Sequence, residues 1–135
     1  MKRRNIAALC FGADEYPISW DADAVENIRQ ELEDDEDNVG TSRASAGIDF
    51  MARSVVMDPE TLKNPRTALA CVFHEGAHIV DVSLGMDLEE KQVVAMGFAW
   101  MSLLIQSGMI DPDEYAIAGV PLTKCRQARA SADET

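Results

Sequence analysis

Both histidines of the chain, His74 and His78, stand in one phrase, His74-Glu75-Gly76-Ala77-His78, which reads H-E-x-x-H. On a helix, residues four apart share a face, so both imidazoles can reach one ion. Glu75 projects from the flank of that face, where a carboxylate can hold a metal-activated water and act as its base. The chemistry this arrangement suits is hydrolysis at a single zinc ion. The metal-free alternative is a pair of helix-surface histidines beside a solvated glutamate.

Zinc at a catalytic site takes three protein ligands and leaves the fourth position to water. With no third histidine, the remaining choices are Glu, Asp and Cys. Glu90 and Glu89, early in the next apolar segment, are the leading candidates. On a helix Glu90 shares a face with Val93, Val94, Gly97 and Met101, the side expected to pack on the H-E-x-x-H helix. Asp87-Leu88-Glu89-Glu90 also fits a capping box that would fold Glu90 back to the backbone and leave the ligand role to Glu89. Asp81, one turn past His78, can accept the N–H of a ligand histidine on the side away from the metal, ligate directly, or sit as a surface charge. Cys71 shares the histidine stripe, but Ala70, Val72 and Phe73 around it favour a small core residue over a thiolate ligand. Gly76 leaves room beside the ion or permits a close helix contact.

The elements that must hold these groups are legible in outline. Asn5 to Phe11 predicts a short buried strand, and Tyr16 to Trp20 an extended segment through Pro17. Asp21 or Asp23 caps a helix to about Glu33, with Val25, Ile28 and Leu32 on one stripe. The acidic run Glu31 to Asp37 has neither the glycine nor the glutamate spacing of a calcium loop and reads as solvated loop. Gly47–Phe50 and Ser54–Asp58 predict a hairpin turning near Ala52-Arg53. Asp58-Pro59-Glu60 starts one helical turn, and Asn64-Pro65 opens the main helix, which runs to about Ser83 and ends at Gly85. Asp87 caps a helix over about Leu88 to Gln106, closed by Gly108. That helix is apolar nearly all round through Phe98, Trp100, Met101, Leu103, Leu104 and Ile105, which predicts central burial or cover by a second copy. Asp111-Pro112 opens a last short helix.

At 135 residues, 47% hydrophobic and 27% charged, the chain predicts one globular domain, residues 1–123, with a polar disordered tail over 124–135. The formal net charge of −12 argues against nucleic acid or an anionic membrane as partner, since both call for clustered Lys and Arg. Three cysteines, Cys10, Cys71 and Cys125, lack a paired spacing, which suits a reducing compartment. The apolar stretch after Met1-Lys2-Arg3-Arg4 is too short for a signal-peptide core, and Val93 to Ile105 is well short of the roughly 20 residues of a membrane span. The expected location is cytoplasmic.

Leu69 to Ile105, with His-Glu-Gly-Ala-His-Ile-Val-Asp, a short glycine-containing loop, Leu-Glu-Glu-Lys-Gln-Val-Val and a long apolar helix, resembles the small single-domain gluzincins. These minigluzincin-like metallopeptidase domains occur in phages, prophages and prokaryotes and are related to the ImmA/IrrE-type metallopeptidases. The resemblance covers about half the chain by residues and the N-terminal half by pattern. It implies an α+β, zincin-like fold, with a small, mostly antiparallel sheet of about three strands on the H-E-x-x-H helix and a following long helix. It implies His74 and His78 as zinc ligands, Glu75 as general base and Glu90 or Glu89 as third ligand. The expected function is a zinc-dependent peptidase acting on a peptide or protein substrate, as a monomer or a homodimer. A hairpin strand, Ile48–Phe50 or Ser54–Met57, would bind extended peptide by strand addition. The alternative is a zinc-binding regulatory or interaction domain with a vestigial site, because no further His or placed Tyr supplies an oxyanion partner; Tyr16, Tyr115, Arg43 and Arg53 are the residues available. A third reading is a helical module without metal.

Overall fold

The computed structural model describes residues 4–33 and 45–122, with the side chains of Leu32 and Glu33 left aside. The expected tail, Arg43, Cys125 and residues 34–37 of the acidic run lie outside the described residues. The fold is α+β, and the described residues form three α-helices and small mixed sheets. Two β-pairings are parallel, which departs from the mostly antiparallel sheet of about three strands that was expected. Hairpins leave local turn signals in a sequence, whereas parallel pairs join distant segments and leave none.

The predicted buried strand over Asn5–Phe11 is two partly exposed strands, β1 (Arg4–Ile6) and β2 (Ala8–Phe11). The chain divides them between two sheets. β1 runs parallel to β6 (Tyr115–Ile117), which pairs antiparallel with β7 (Val120–Pro121). β2 turns at Gly12, φ 62°, into β3 (Asp14–Trp20), where Pro17 is accommodated. The second sheet has the order β2-β3-β5-β4, with β4 (Ala46–Asp49) and β5 (Ser54–Met57) forming the expected hairpin. β5 is paired on both sides, so among the described residues β4 carries that hairpin's open edge.

Helix α1 (Ala22–Glu33) starts where Asp21 Oδ1 accepts the Ala24 N–H at 3.0 Å, and it buries Val25. Its Arg29 pairs with the buried Asp58 at the end of β5. Burial pushes the Asp58 carboxyl up, but the Glu60 N–H and the Arg29 guanidinium outweigh it and hold the pKa below its ordinary value. Asp58 thereby tethers α1 to the 3₁₀ turn Pro59–Lys63 that leads into the main helix.

Helix α2 (Pro65–Leu84) is bounded as its sequence requires. The Asn64 side chain accepts the Arg66 N–H at 2.9 Å, Pro65 fills the first turn, and Gly85 closes the helix at φ 62°. Ala68, Leu69, Val72 and Ile79 face the sheet and pack with Tyr16, Ile18, Val55 and Met57, the centre of the core. Helix α3 (Glu90–Gln106) folds back along α2. It begins later than expected: Asp87 adopts φ 56° and does not cap it, and Glu89 occupies the cap position, its N–H donating to Gln92 Oε1 at 2.9 Å. α3 is not central. Val93, Gly97 and Met101 are buried, but Val94, Phe98, Trp100 and Leu103 stand in solvent, because only one side of the helix meets α2. The last predicted helix is a single 3₁₀ turn, Pro112–Glu114, that hands over to β6. Among the described residues no helix is long and apolar enough to cross a membrane.

Candidate metal centre

Helix α2 presents His74 and His78 one turn apart, their ring centroids 4.7 Å from each other and their planes at 84°. Glu90, in the first turn of α3, closes the triangle. His74 Nε2 lies 3.0 Å from Glu90 Oε1, His78 Nε2 lies 3.2 Å from Glu90 Oε2, and the two Nε2 atoms are 3.1 Å apart. Among the described residues this is the one convergence of three or more His, Cys, Asp or Glu side chains with metal-binding spacing. Two imidazole nitrogens and two carboxylate oxygens thus converge at hydrogen-bond distance, a spacing that a shared proton or a cation can satisfy. Tetrahedral zinc with bonds of about 2.0–2.1 Å separates its ligand atoms by about 3.3 Å, close to the spacing found. The donor set therefore fits a zinc ion.

His74 is held in the neutral form that ligates: burial lowers its pKa, as does the neighbouring His78, and both outweigh the opposing pull of Glu90. Glu75, between the two histidines in sequence, is almost wholly buried. Burial, and then the negative charge of Glu90, push its carboxyl up to about 8. A divalent cation beside it acts in the opposite direction. Glu75 is thus a carboxyl whose proton affinity is set by its surroundings, the property required of a proton carrier.

The other nominated residues go elsewhere. Glu89 is exposed and its carboxylate pairs with Lys91 Nζ at 3.4 Å, away from the histidines. The expected capping box at Asp87 does not form, since the cap lies two residues on, which frees the Glu90 carboxylate for the imidazoles. Asp81 does not support a ring nitrogen: Oδ1 accepts the Leu88 N–H at 3.0 Å and its carbonyl accepts the Met86 N–H, so it braces the loop between α2 and α3. No hydrogen bond joins it to either imidazole among the described residues. Cys71 sits against the core with its thiol pushed up to about 11, first by burial and then by Glu75 and Asp58, which keeps it a protonated packing residue. Tyr16 packs edge-on against Phe50 in the core, Tyr115 lines a cavity behind α2, and Arg53 pairs with Asp14 at 3.2 Å.

That cavity, of about 410 Å³, is apolar and is walled by Ile6, Leu9, Phe73, Gly76, Met96 and Trp100 among others. Phe73, Gly76 and Val80 lie on the side of α2 away from His74 and His78, by the 3.6-residue period. The cavity and the polar cluster therefore occupy opposite faces of the same helix.

Gly97 has a positional role that its place in a generic apolar face does not convey. A Cβ there would meet His74 Cα at 3.0 Å and His74 N and Phe73 C at 3.1 Å, all backbone atoms. The missing side chain lets α3 lie against α2 at the first histidine and so sets how near Glu90 comes. A lone glycine seven residues after Glu90 in an apolar helix was the available signal. Gly76, by contrast, has nothing within 4 Å of a built Cβ. Opposite outcomes are expected from the same substitution. Gly97→Ala should destabilise by about 1–3 kcal/mol and weaken zinc binding, as α3 is displaced. Gly76→Ala should stabilise by up to about 1 kcal/mol through helix propensity. Denaturant unfolding and zinc titration of both variants check the pair.

Comparison with protein-family models, curated proteins and solved structures finds no match for this chain.

Proposed function

We infer that the protein is a zinc-dependent peptidase of the gluzincin type. The observation that carries this reading is the meeting of His74 Nε2, His78 Nε2 and both Glu90 carboxylate oxygens, with the buried Glu75 next to His74 in sequence and its carboxyl feeling the charge of Glu90. His74, His78 and Glu90 would hold one zinc ion. When bound, zinc polarises a scissile carbonyl and brings the pKa of a coordinated water toward neutrality. Glu75 accepts the proton of the attacking water at a carboxylate oxygen and delivers it to the leaving amine. Its burial keeps bulk water from competing for that proton. Helix α2 fixes the two imidazoles and Glu75 relative to one another. The open edge of β4 offers backbone groups for an extended substrate.

The second reading is a zinc-binding interaction domain whose peptidase site is vestigial. It is favoured by the places of Tyr16, Tyr115 and Arg53, which are engaged in the core, at the cavity behind α2 and with Asp14. Metal analysis with turnover of a broad peptide library separates the two. A peptidase shows one zinc per chain and cleavage that a chelator abolishes and zinc restores. Stoichiometric zinc without cleavage selects the interaction domain, and no bound zinc sinks both.

A further inference from the structure

The apolar cavity of about 410 Å³ behind α2 takes no part in the metal chemistry. Leu69, Val72, Ala77 and Ile79 form its buried floor. Cys10 on β2 and Trp100 on α3 are its exposed lining residues, so it opens between that strand and that helix. No charged side chain lines it. Protein interiors rarely leave voids much larger than one water molecule, so a space of this size is not a packing fault. Water is a poor occupant, because each molecule needs about two to four polar partners and this wall is almost wholly hydrocarbon. The chain does not bring its own filling. Residues 1–3, 34–44 and 123–135, outside the described stretches, hold two large apolar side chains, Met1 and Val39. Gly76 adds to the space from within the wall, since a Cβ built there meets nothing within 4 Å.

We propose that this cavity is a binding site for a small neutral aliphatic molecule, a hydrocarbon chain of medium length with one uncharged polar head. Its volume lies in the range of about 300–1,000 Å³ typical of small-molecule sites. An apolar cavity of about 150 Å³ takes benzene, so this one takes on the order of 10–16 carbon atoms. The lining sets the charge. A carboxylate or ammonium drawn against it would lose its hydration and gain no partner. Arg4, opposite Tyr115 in the β1–β6 register, is the basic residue paired with the lining strands and is not itself part of the wall. The open side lets an uncharged head stay in water at Cys10 and Trp100 while the chain is covered. Phe73, Gly76 and Val80 meet the cavity on the side of α2 away from the histidines, so the site does not rest on the peptidase reading.

Calorimetric titration of the full chain with 1-hexanol, 1-octanol and 1-decanol tests the proposal. One alcohol per chain is expected, with affinity rising about fourfold for each added methylene. Of the two tryptophans only Trp100 lines the cavity, so its emission should shift to the blue on binding. Gly76→Leu places a side chain in the free space and should weaken 1-decanol by at least about tenfold, with a raised unfolding temperature and unchanged zinc content. Gly76→Ala gives the same helix a single methyl and should stay within about threefold of wild type. Should Gly76→Leu fail to fold, Val80→Phe fills the cavity from the next turn and makes the same comparison. Uptake that never saturates overturns the proposal, as does 1-decanol binding that survives both filling substitutions. Decanoate bound as tightly as 1-decanol overturns it too, since the site would then be one for an anion.

Discussion

Glu75→Gln should lower peptide hydrolysis by about 10²–10⁴-fold while one zinc per chain is retained. The substitution removes the proton acceptor and keeps the shape, and the three groups that meet at the candidate metal centre, His74, His78 and Glu90, are unaltered. A second expected effect concerns the metal-free protein, whose buried Glu75 has its pKa raised to about 8 from the ordinary 4.5. The folded state thus binds this proton more tightly than the unfolded state does. Glu75 is accommodated without penalty below about pH 4.5, and stability falls as pH rises from there through about 8. Glutamine carries no charge, so the variant should be more stable than wild type without metal at pH 8, by a few kcal/mol. Thermal unfolding with chelator at pH 5 and pH 8, beside a turnover assay, reads both effects. Unchanged turnover would remove Glu75 from the mechanism, and an equal pH dependence in the two proteins would mean that water reaches its carboxyl.

Glu90→Gln should cost zinc affinity more than the roughly 10–100-fold seen when a partner of a ligand is disturbed. The carboxylate is the one anionic member of the cluster and touches both imidazoles, at 3.0 and 3.2 Å. Glu89→Gln, one residue away, should leave zinc binding within about twofold, because Glu89 pairs with Lys91 at the surface. Competition titration against a chromophoric chelator compares the two. Equal losses, or a larger loss at Glu89, would contradict the placement of Glu90.

The groups of the candidate site were legible because they are local. His74, Glu75 and His78 lie within one turn and a half of a helix whose ends, Asn64-Pro65 and Gly85, are written in capping residues. Glu90 was harder: Asp87 looks like a helix cap, and only the left-handed backbone at Asp87 moves the cap to Glu89 and turns Glu90 toward the histidines. For Asp81 helical spacing leaves support of a ring nitrogen, direct ligation and a surface charge all open, and its bond to the Leu88 N–H depends on a loop path that such spacing cannot supply. The sheets were read least well. The β4–β5 hairpin has its turn in the sequence, whereas the pairing of Arg4–Ile6 with Tyr115–Ile117 spans nearly the whole chain. The apolar α3 read as central or covered by a second copy, since composition reports what a helix can bury and not how many neighbours it has.

His74 and His78 on α2 and Glu90 on α3 flank a single helical elbow, the α2–α3 turn braced by Asp81. Gathering them closes a short stretch of polypeptide, so little chain entropy stands against it. A cation seated there acts as a local rivet: its binding energy goes to holding two neighbouring helices at a fixed angle, while the strands at the far ends of the chain owe it nothing directly. Loss of the ion would then loosen the elbow before the sheets, and opening would start at the point where chemistry is expected.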